Sequence, residues 1–384
     1  MQSDYEQALL SLAAKLKKLP PLEVKALIGF DGFVDEIVHV VDKRKNANEY
    51  SRLGSMAEYG RKIENSSGLS MNFEMVTITR KLGGNGPIFA NALLGFDFDI
   101  TYVGALGVPD IHPVFSDMAS RCRSLAIADP GRTDAIEFFD GKIISTKMET
   151  LKDVNWSNLL ENLGMEELKK LVDECSLLGF ENWTMLPYMS DIWEHILSEV
   201  LPGRSKDAPE ATIFFDLADP EKRDKGDILK ALELMGKFGE YYRTVLGLNE
   251  REAHEIAEAL GLSDKAADLE TMARYIFSKA DLDILVIHPV KEACMITDEG
   301  YYAASGPFCE FPKLTTGAGD NFNAGFVLGV MAGLGGTQAL AMGMAASGFY
   351  VRYARSPDAE ELIGFLEDWA RGRLDREKDD WRGL

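Results

Sequence analysis

The chain of 384 residues is poor in cysteine, has no excess of basic charge and holds no long unbroken apolar run, and each shortage removes a class of function. Its 4 cysteines, at 122, 175, 294 and 309, form no Cys-x-x-Cys pair and no ligand spacing with the histidines. That argues against a zinc site or a redox motif, and for reduced core thiols in a cytoplasmic protein. Acidic residues number 62 against 41 basic ones, a net charge of -21, so neither nucleic acid nor an anionic membrane is an expected partner. The longest uncharged stretch, Asn321 to Val351, is broken by Gly335-Gly336-Thr337-Gln338. Neither half reaches the roughly 20 apolar residues of a membrane span, so it reads as two buried helices. Asp4, Glu6, Lys15, Lys17 and Lys18 surround the first apolar run, which is not the pattern of a signal peptide. The Asn-x-Ser/Thr triplets at Asn65, Asn155 and Asn182 carry no meaning without secretion. None of the 5 histidines sits in a nucleophile context, and His288 reads as a loop residue at a strand end.

What is present is a large core, with 46% hydrophobic residues, arranged in short apolar runs between helical patterns. Strands are expected at Val24–Phe30, Ile100–Val103, Leu177–Phe180, Thr212–Phe215, Thr244–Leu248 and Ile284–His288. Helical periods fall at Leu9–Leu19 (stopped by Pro20-Pro21), Ile228–Phe238 and Arg251–Leu260. Alternating strands and helices predict an α/β fold, a mostly parallel sheet covered on both faces, with ligands beyond the carboxyl ends of the strands. Two segments break the rhythm. Residues 37–80 carry a strand-like run, a polar helix and the β-rich run Phe73–Thr79. Residues 134–149 read as a hairpin turning at Asp140-Gly141, with Phe138 opposite Ile143 and Ile136 opposite Ser145. Together they predict a small β-rich lid on a large domain made of residues 1–36, 81–133 and 150–384. Both hairpin faces carry apolar groups, which favours a homodimer joined through the lid. The densely charged tail after Trp369 is expected to fray.

The sharpest motif is Thr315-Thr316-Gly317-Ala318-Gly319-Asp320-Asn321-Phe322-Asn323-Ala324-Gly325. A glycine turn opening a helix offers backbone N–H groups and the positive helix end to an anion, and Asp320 in the first turn can accept a proton beside it. An ordinary glycine turn with a capping aspartate has the same spacing. The segment resembles the second signature of the ribokinase-like (PfkB-type) carbohydrate kinase family, and the resemblance runs from about Val24 to Leu366 with the motifs in the same order. It implies a three-layer αβα fold with Asp320 as catalytic base and Gly317, Ala318 and Gly319 as the anion hole. Leu82-Gly83-Gly84-Asn85-Gly86-Pro87-Ile88-Phe89-Ala90 is similar to the first signature, where the glycines let a sugar approach the backbone. The family commonly has Lys where Asn85 stands and Asn where Ile88 stands. In Gly29-Phe30-Asp31-Gly32-Phe33-Val34-Asp35 the resemblance implies a sugar-holding aspartate: Asp35 first, Asp31 in reserve.

Asn249-Glu250-Arg251-Glu252 resembles the family's Asn-x-x-Glu motif, whose Glu places magnesium through water, and is equally an ordinary capping box. The resemblance puts Asn249, Glu252, Thr316 and Asn323 on the nucleotide side. Two departures stand out. His288-Pro289-Val290-Lys291-Glu292-Ala293 lacks the glycines of the family's nucleotide loop, and Leu314 replaces the Asp of cation-activated members. Phe215-Asp216-Leu217-Ala218-Asp219-Pro220 reads as a structural turn. The implied activity is transfer of the terminal phosphoryl group of Mg-ATP to a hydroxymethyl group of a sugar or sugar-like alcohol. An ADP-dependent sugar kinase, a nucleoside kinase of the same fold and a non-catalytic sugar- or nucleotide-binding module remain alternatives.

Overall fold

The structure is a computed structural model that describes residues 2–205, 207–264 and 266–374, so the end of the charged tail lies outside the described residues. Strand β1 (Lys25–Phe30) leads almost directly into β2 (Phe33–Arg44), followed by β3 (Tyr50–Arg52) and β4 (Met75–Gly83). Next come β5 (Asp99–Gly104), β6 (Arg123–Ala126), β7 (Gly131–Glu137) and β8 (Lys142–Lys147). The second half supplies β9 (Leu177–Phe180), β10 (Thr212–Asp216), β11 (Arg243–Leu248), β12 (Ile284–Ile287), β13 (Glu292–Thr297) and β14 (Gly300–Ser305).

Among the described residues, nine strands form one sheet in the order β14-β13-β12-β11-β10-β9-β1-β5-β6. The seven from β12 to β6 are parallel, and β13 is antiparallel to both its neighbours. Successive side chains on a strand point to opposite faces, and a parallel sheet buried on both faces needs apolar groups in both sets. The runs comply: Leu27, Leu178, Ile213, Leu246 and Leu285 pack into one core, while Ile28, Leu177, Phe214, Val245 and Val286 pack into the other. Helices Met165–Glu174, Lys225–Phe238, Glu250–Leu260 and Leu269–Phe277 cover the first face. Helices Asn85–Leu94, Ala318–Met331, Gly336–Tyr353 and Ala359–Ala370 cover the second. The uncharged stretch thus forms two buried helices, and no helix among the described residues is long and apolar enough to cross a membrane.

The remaining strands make a smaller sheet, in the order β3-β2-β7-β8 with β4 on the other side of β2. It reaches beyond 37–80 and 134–149, because β2 already pairs with β7 at Phe33 and Gly131, and with β4 at Gly83. One row across it reads Lys81, Asp35, Thr133, Thr146, each directly opposite the next. Side chains in one such row share a face, and this row faces the large sheet's carboxyl edge. The opposite face carries the buried cluster Val38, Val40, Leu53, Ile136 and Phe138, covered by Tyr59 of helix Met56–Asn65 and by Phe73.

The hairpin register differs from the expected one. Ile136 pairs with Ile143 and Asp134 with Ser145, which leaves a four-residue loop, 138–141, in place of a two-residue turn. Tertiary contacts outweigh the Asp-Gly signal. The Phe139 N–H donates to the Gly54 carbonyl at 2.9 Å, and the Asp140 carboxylate accepts from the Met56 N–H at 2.9 Å. The loop is thereby tied to the start of helix Met56–Asn65. Phe138 is covered inside the chain, its ring 5.5 Å from that of Tyr59, whereas Phe139 and Ile144 of the same hairpin are exposed.

Phe138→Ala should therefore loosen the smaller sheet alone, at a local cost on the order of 3 kcal/mol for a truncated core phenylalanine. Hydrogen exchange should lose protection at residues 131–147 while β9 to β12 stay protected. Equal protection in variant and parent would show that the cluster does not hold the hairpin.

Candidate active site

The carboxyl ends of β1, β9, β10, β11 and β12 bring Asp31, Glu181, Asn182, Asp216, Asn249 and His288 to one edge. The chain leaves β1 for β5 on one side and β9 on the other, so Asp31 and Glu181 sit at the reversal of strand order. Asp31 is fully buried and fully engaged. Its carboxylate accepts from the Asn85 N–H (3.0 Å), the Gly86 N–H (2.9 Å) and the Asn182 side-chain amide (2.7 Å), while its carbonyl accepts from the Tyr102 hydroxyl (2.6 Å). Burial pushes this carboxyl up to about 6, against the pull of those donors. Asp31 is an anchor for the start of helix Asn85–Leu94, not a group open to a sugar. This corrects its place as reserve candidate.

Asp35 is the aspartate that reaches the cleft. Its carboxylate lies over the glycine turn so closely that a Cβ on Gly83 would sit 2.3 Å from it, and Gly84, at φ 94°, turns the chain into the helix. Burial raises the Asp35 carboxyl, opposed by Lys81, the Thr133 hydroxyl and Lys142. Asp35, Lys81, Gly84, Asn85, Ile88 and Thr133 line part of a cavity of about 870 Å³. The Lys81 ammonium donates to the Thr316 carbonyl at 3.3 Å, and the Lys142 ammonium to the Thr315 hydroxyl at 3.2 Å and to the Thr316 hydroxyl.

The Thr315–Asp320 loop closes the other side. Gly317, at φ 97°, stands where a Cβ would meet the Tyr350 hydroxyl at 2.8 Å, and that hydroxyl donates to the Thr316 carbonyl at 2.8 Å. Helix Ala318–Met331 starts there, with Asp320 in its first turn. Asp320 accepts from the Asn85 side-chain amide at 2.9 Å. Burial pushes its carboxyl up to about 8; Asn85 and Lys81 oppose that rise, while Asp31 and Glu252 add to it. A second cavity, of about 570 Å³, lies beyond the loop among His288, Val290, Pro307, Phe308, Ser347 and Val351. The two cavities share Asn85, Lys142, Thr315, Thr316, Gly317 and Asp320 in their walls. Each has the size of a small-molecule site, and they meet at one carboxylate.

Asn249 and Glu252 form the capping box: the Asn249 side chain accepts from the Glu252 N–H at 3.0 Å, and Glu252 from the Asn249 N–H at 2.8 Å. The other Glu252 oxygen accepts from the Asp219 N–H at 3.1 Å, with Ala218 and Asp219 both in the left-handed region. Glu252 also lines the second cavity, as does Asp216. Asp216 is more than a turn residue: one oxygen accepts from the Asn323 amide at 3.0 Å and the other is buried without a partner. Burial raises the Asp216 carboxyl well above its usual range, reinforced by Glu252 and Asp320. Asn323 itself is fully buried behind Asp216 and is not brought to the cavity wall. His288 stacks on Phe322 at 4.5 Å, and burial lowers its imidazole to about 4, so it is neutral at physiological pH.

The model of the prokaryotic ketohexokinase family matches residues 7–369 of the chain. The chain belongs to that family. Over 353 residues it is 29% identical to a ketohexokinase from Haloferax volcanii, covering 91% of this chain and 92% of that one. Its fold is that of phosphofructokinase-2 from Escherichia coli, solved as a point mutant (TM-score 0.63, 12% identity, 91% and 100% of the two chains). It is also that of Arabidopsis thaliana ribokinase, solved with ribose and ATP (TM-score 0.62, 14% identity, 90% and 98%). The protein is thus a carbohydrate kinase, a phosphotransferase with the ribokinase-like α/β fold, and family membership implies use of ATP.

Several cleft residues of this prokaryotic ketohexokinase family member belong to no motif read from the sequence. Lys81 and Lys142 reach the loop only through the register of the smaller sheet. Asn182 stood out only as a glycosylation triplet without meaning and is the partner of Asp31. Glu181 is fully buried with both carboxylate oxygens unpartnered, and burial with Asp216, Asp320 and Asp31 nearby holds its carboxyl well above the usual range. The two aspartates of the first motif should separate in a stability test. Asp31→Ala strands buried donors and should lower unfolding free energy by about 3 kcal/mol in urea titration. Asp35→Ala removes a desolvated carboxylate and should leave stability unchanged or raised. Equal losses would make both aspartates anchors.

Proposed function

We propose that this kinase transfers the terminal phosphoryl group of ATP to a hydroxymethyl group of a ketohexose, with Asp320 as general base. The observation that supports it most is the meeting of two cavities at the Asp320 carboxylate, next to a helix start. The cavity under the smaller sheet takes the sugar. Asp35 accepts from its hydroxyls, and the absence of side chains at Gly83 and Gly84 makes room for the Asp35 and Asp31 carboxylates against the turn, so that the sugar meets Asp35 with Gly84 and Asn85 beside it. The cavity beyond the loop takes the nucleotide, its base among the apolar groups around His288 and Phe308.

With the sugar held, its hydroxymethyl oxygen gives its proton to Asp320 and attacks the terminal phosphorus in line with the leaving oxygen. The Gly317, Ala318 and Gly319 amides, at the positive end of helix Ala318–Met331, take up the charge of the transferring group. Such transfer leaves the protein little covalent work, so positioning and charge stabilisation carry the rate. The smaller sheet acts as a lid that excludes water, the competing acceptor.

Magnesium fits the donor wall. Asp216 has a bare buried oxygen, Glu252 lies beside it, and the mutual repulsion of the carboxylates is what a divalent cation relieves. Glu252 would hold the ion through water, as suits a hard cation that keeps much of its hydration shell. When bound, the ion neutralises charge on the nucleotide phosphates. The reading needs no second copy of the chain, and four free thiols suit a cytoplasmic enzyme.

Asp320→Asn should keep the fold and lower kcat by roughly a hundredfold or more, the scale of a removed general base. A near-normal kcat would end the assignment. For the parent, kcat/KM for the sugar should rise with pH through about 8, where the free Asp320 carboxyl ionises. Glu252→Gln should demand more magnesium for half-maximal rate, and an unchanged demand would leave Glu252 as a cap only.

A further inference from the structure

Lys81 has no place in either signature, yet it stands at the join of both. It lies directly opposite Asp35 across β4 and β2, on the cleft face, and its ammonium donates to the Thr316 carbonyl at 3.3 Å, one residue before the turn that opens the Asp320 helix. We propose that Lys81 is a positioning residue for phosphoryl transfer, whose ammonium fixes the Thr315–Asp320 loop against the smaller sheet and supplies the counter-charge that keeps Asp320 able to accept a proton. The inference rests on Asp320 being the base.

Three observations carry it. First, Lys81 is largely buried, and desolvation lowers its ammonium while Asp35 and Asp320 hold it up. A lysine without work to do keeps its head in water. Second, the groups around Asp320 are overwhelmingly acidic. Asp31 from the end of β1, Glu181 from β9, Asp216 from β10 and Glu252 from the neighbouring helix all share its field. Asn85 is a neutral donor to Asp320, Tyr350 is a protonated phenol, and His288 beside Gly319 is neutral. Among the described residues, Lys81 is the cation whose charge counts most at Asp320, and both line the cavity under the smaller sheet. Lys142, from β8, lies on the threonine hydroxyls and acts on Lys81 and Asp35. Third, the ammonium belongs to the smaller sheet and the carboxylate to the large domain, so the charge is in place only when the two are in contact. The base is competent when the sugar's own wall is seated.

Lys81→Met keeps the apolar stem and removes the charge; Lys81→Arg keeps a charge. For Lys81→Met we expect the acid limb of the kcat profile to move up by about one pH unit and kcat at neutral pH to fall about tenfold, the scale of one lost opposite charge nearby. KM for ATP should stay within about twofold, and Lys81→Arg should recover most of the rate. An acid limb that does not move, or equal impairment in both variants, would return Lys81 to a packing role. The two readings fail separately. An active Asp320→Asn variant would end the base assignment, whereas an inactive Asp320→Asn beside a normal Lys81→Met would end only this inference.

Discussion

The Asp31 carboxylate is the interaction from which the rest of the cleft takes its position. Three donors from two distant parts of the chain converge on it, two from the start of helix Asn85–Leu94 and one from just past the end of β9. A carboxylate at a helix start satisfies N–H groups that have no partner within the helix and sits favourably in the helix dipole. That bond fixes where the glycine turn ends, and so where Asn85 meets Asp320. Only two residues separate β1 from β2, so the same anchor also sets the root of the smaller sheet.

Around that anchor the molecule accumulates burden. Asp31, Glu181, Asp216, Glu252 and Asp320 are all buried within one another's field. Each desolvated carboxylate without full pairing costs several kcal/mol, or gives up its charge to avoid that cost. The large aromatic and aliphatic cores on both faces of the nine-stranded sheet offset this. A ligand that brings cations or donors into the cleft binds the folded state alone and so stabilises it. Burial of this kind is a mark of a functional site, because a fold selected only for stability would replace such groups with apolar ones.

Six of the nine strands of the large sheet were legible because each is buried on both faces, which makes a short apolar run stand out; β6, β13 and β14, at the two ends of the sheet, were not read. The glycine turns were legible for a related reason: Gly83, Gly84 and Gly317 sit where a side chain has no room, and such positions cluster into motifs. What could not be read was whatever depends on pairing between distant segments. Asp31 and Asp35 share one short motif, and only the three-dimensional arrangement shows that the first looks inward to Asn182 and the second outward to Lys81. The hairpin loop obeyed Gly54 and Met56, far earlier in the chain, instead of its own Asp140-Gly141. Lys142, Asn182 and Asp216 are ordinary residues in the sequence, made special by what folds against them.

The closeness of Asp35 to Gly83 has a bearing on how such an enzyme diversifies. With the carboxylate occupying the space a Cβ would take, the glycine turn cannot be altered without expelling the group above it. One wall of the cavity under the smaller sheet is therefore a turn with a carboxylate pressed onto it, and is closed to variation. The facing wall is built from Ile37, Ala135 and Ile144 on strands whose hydrogen bonds do not depend on which side chain stands there. A change in what this cavity holds is open on those strands, one side chain at a time, while the turn stays fixed by the carboxylate above it.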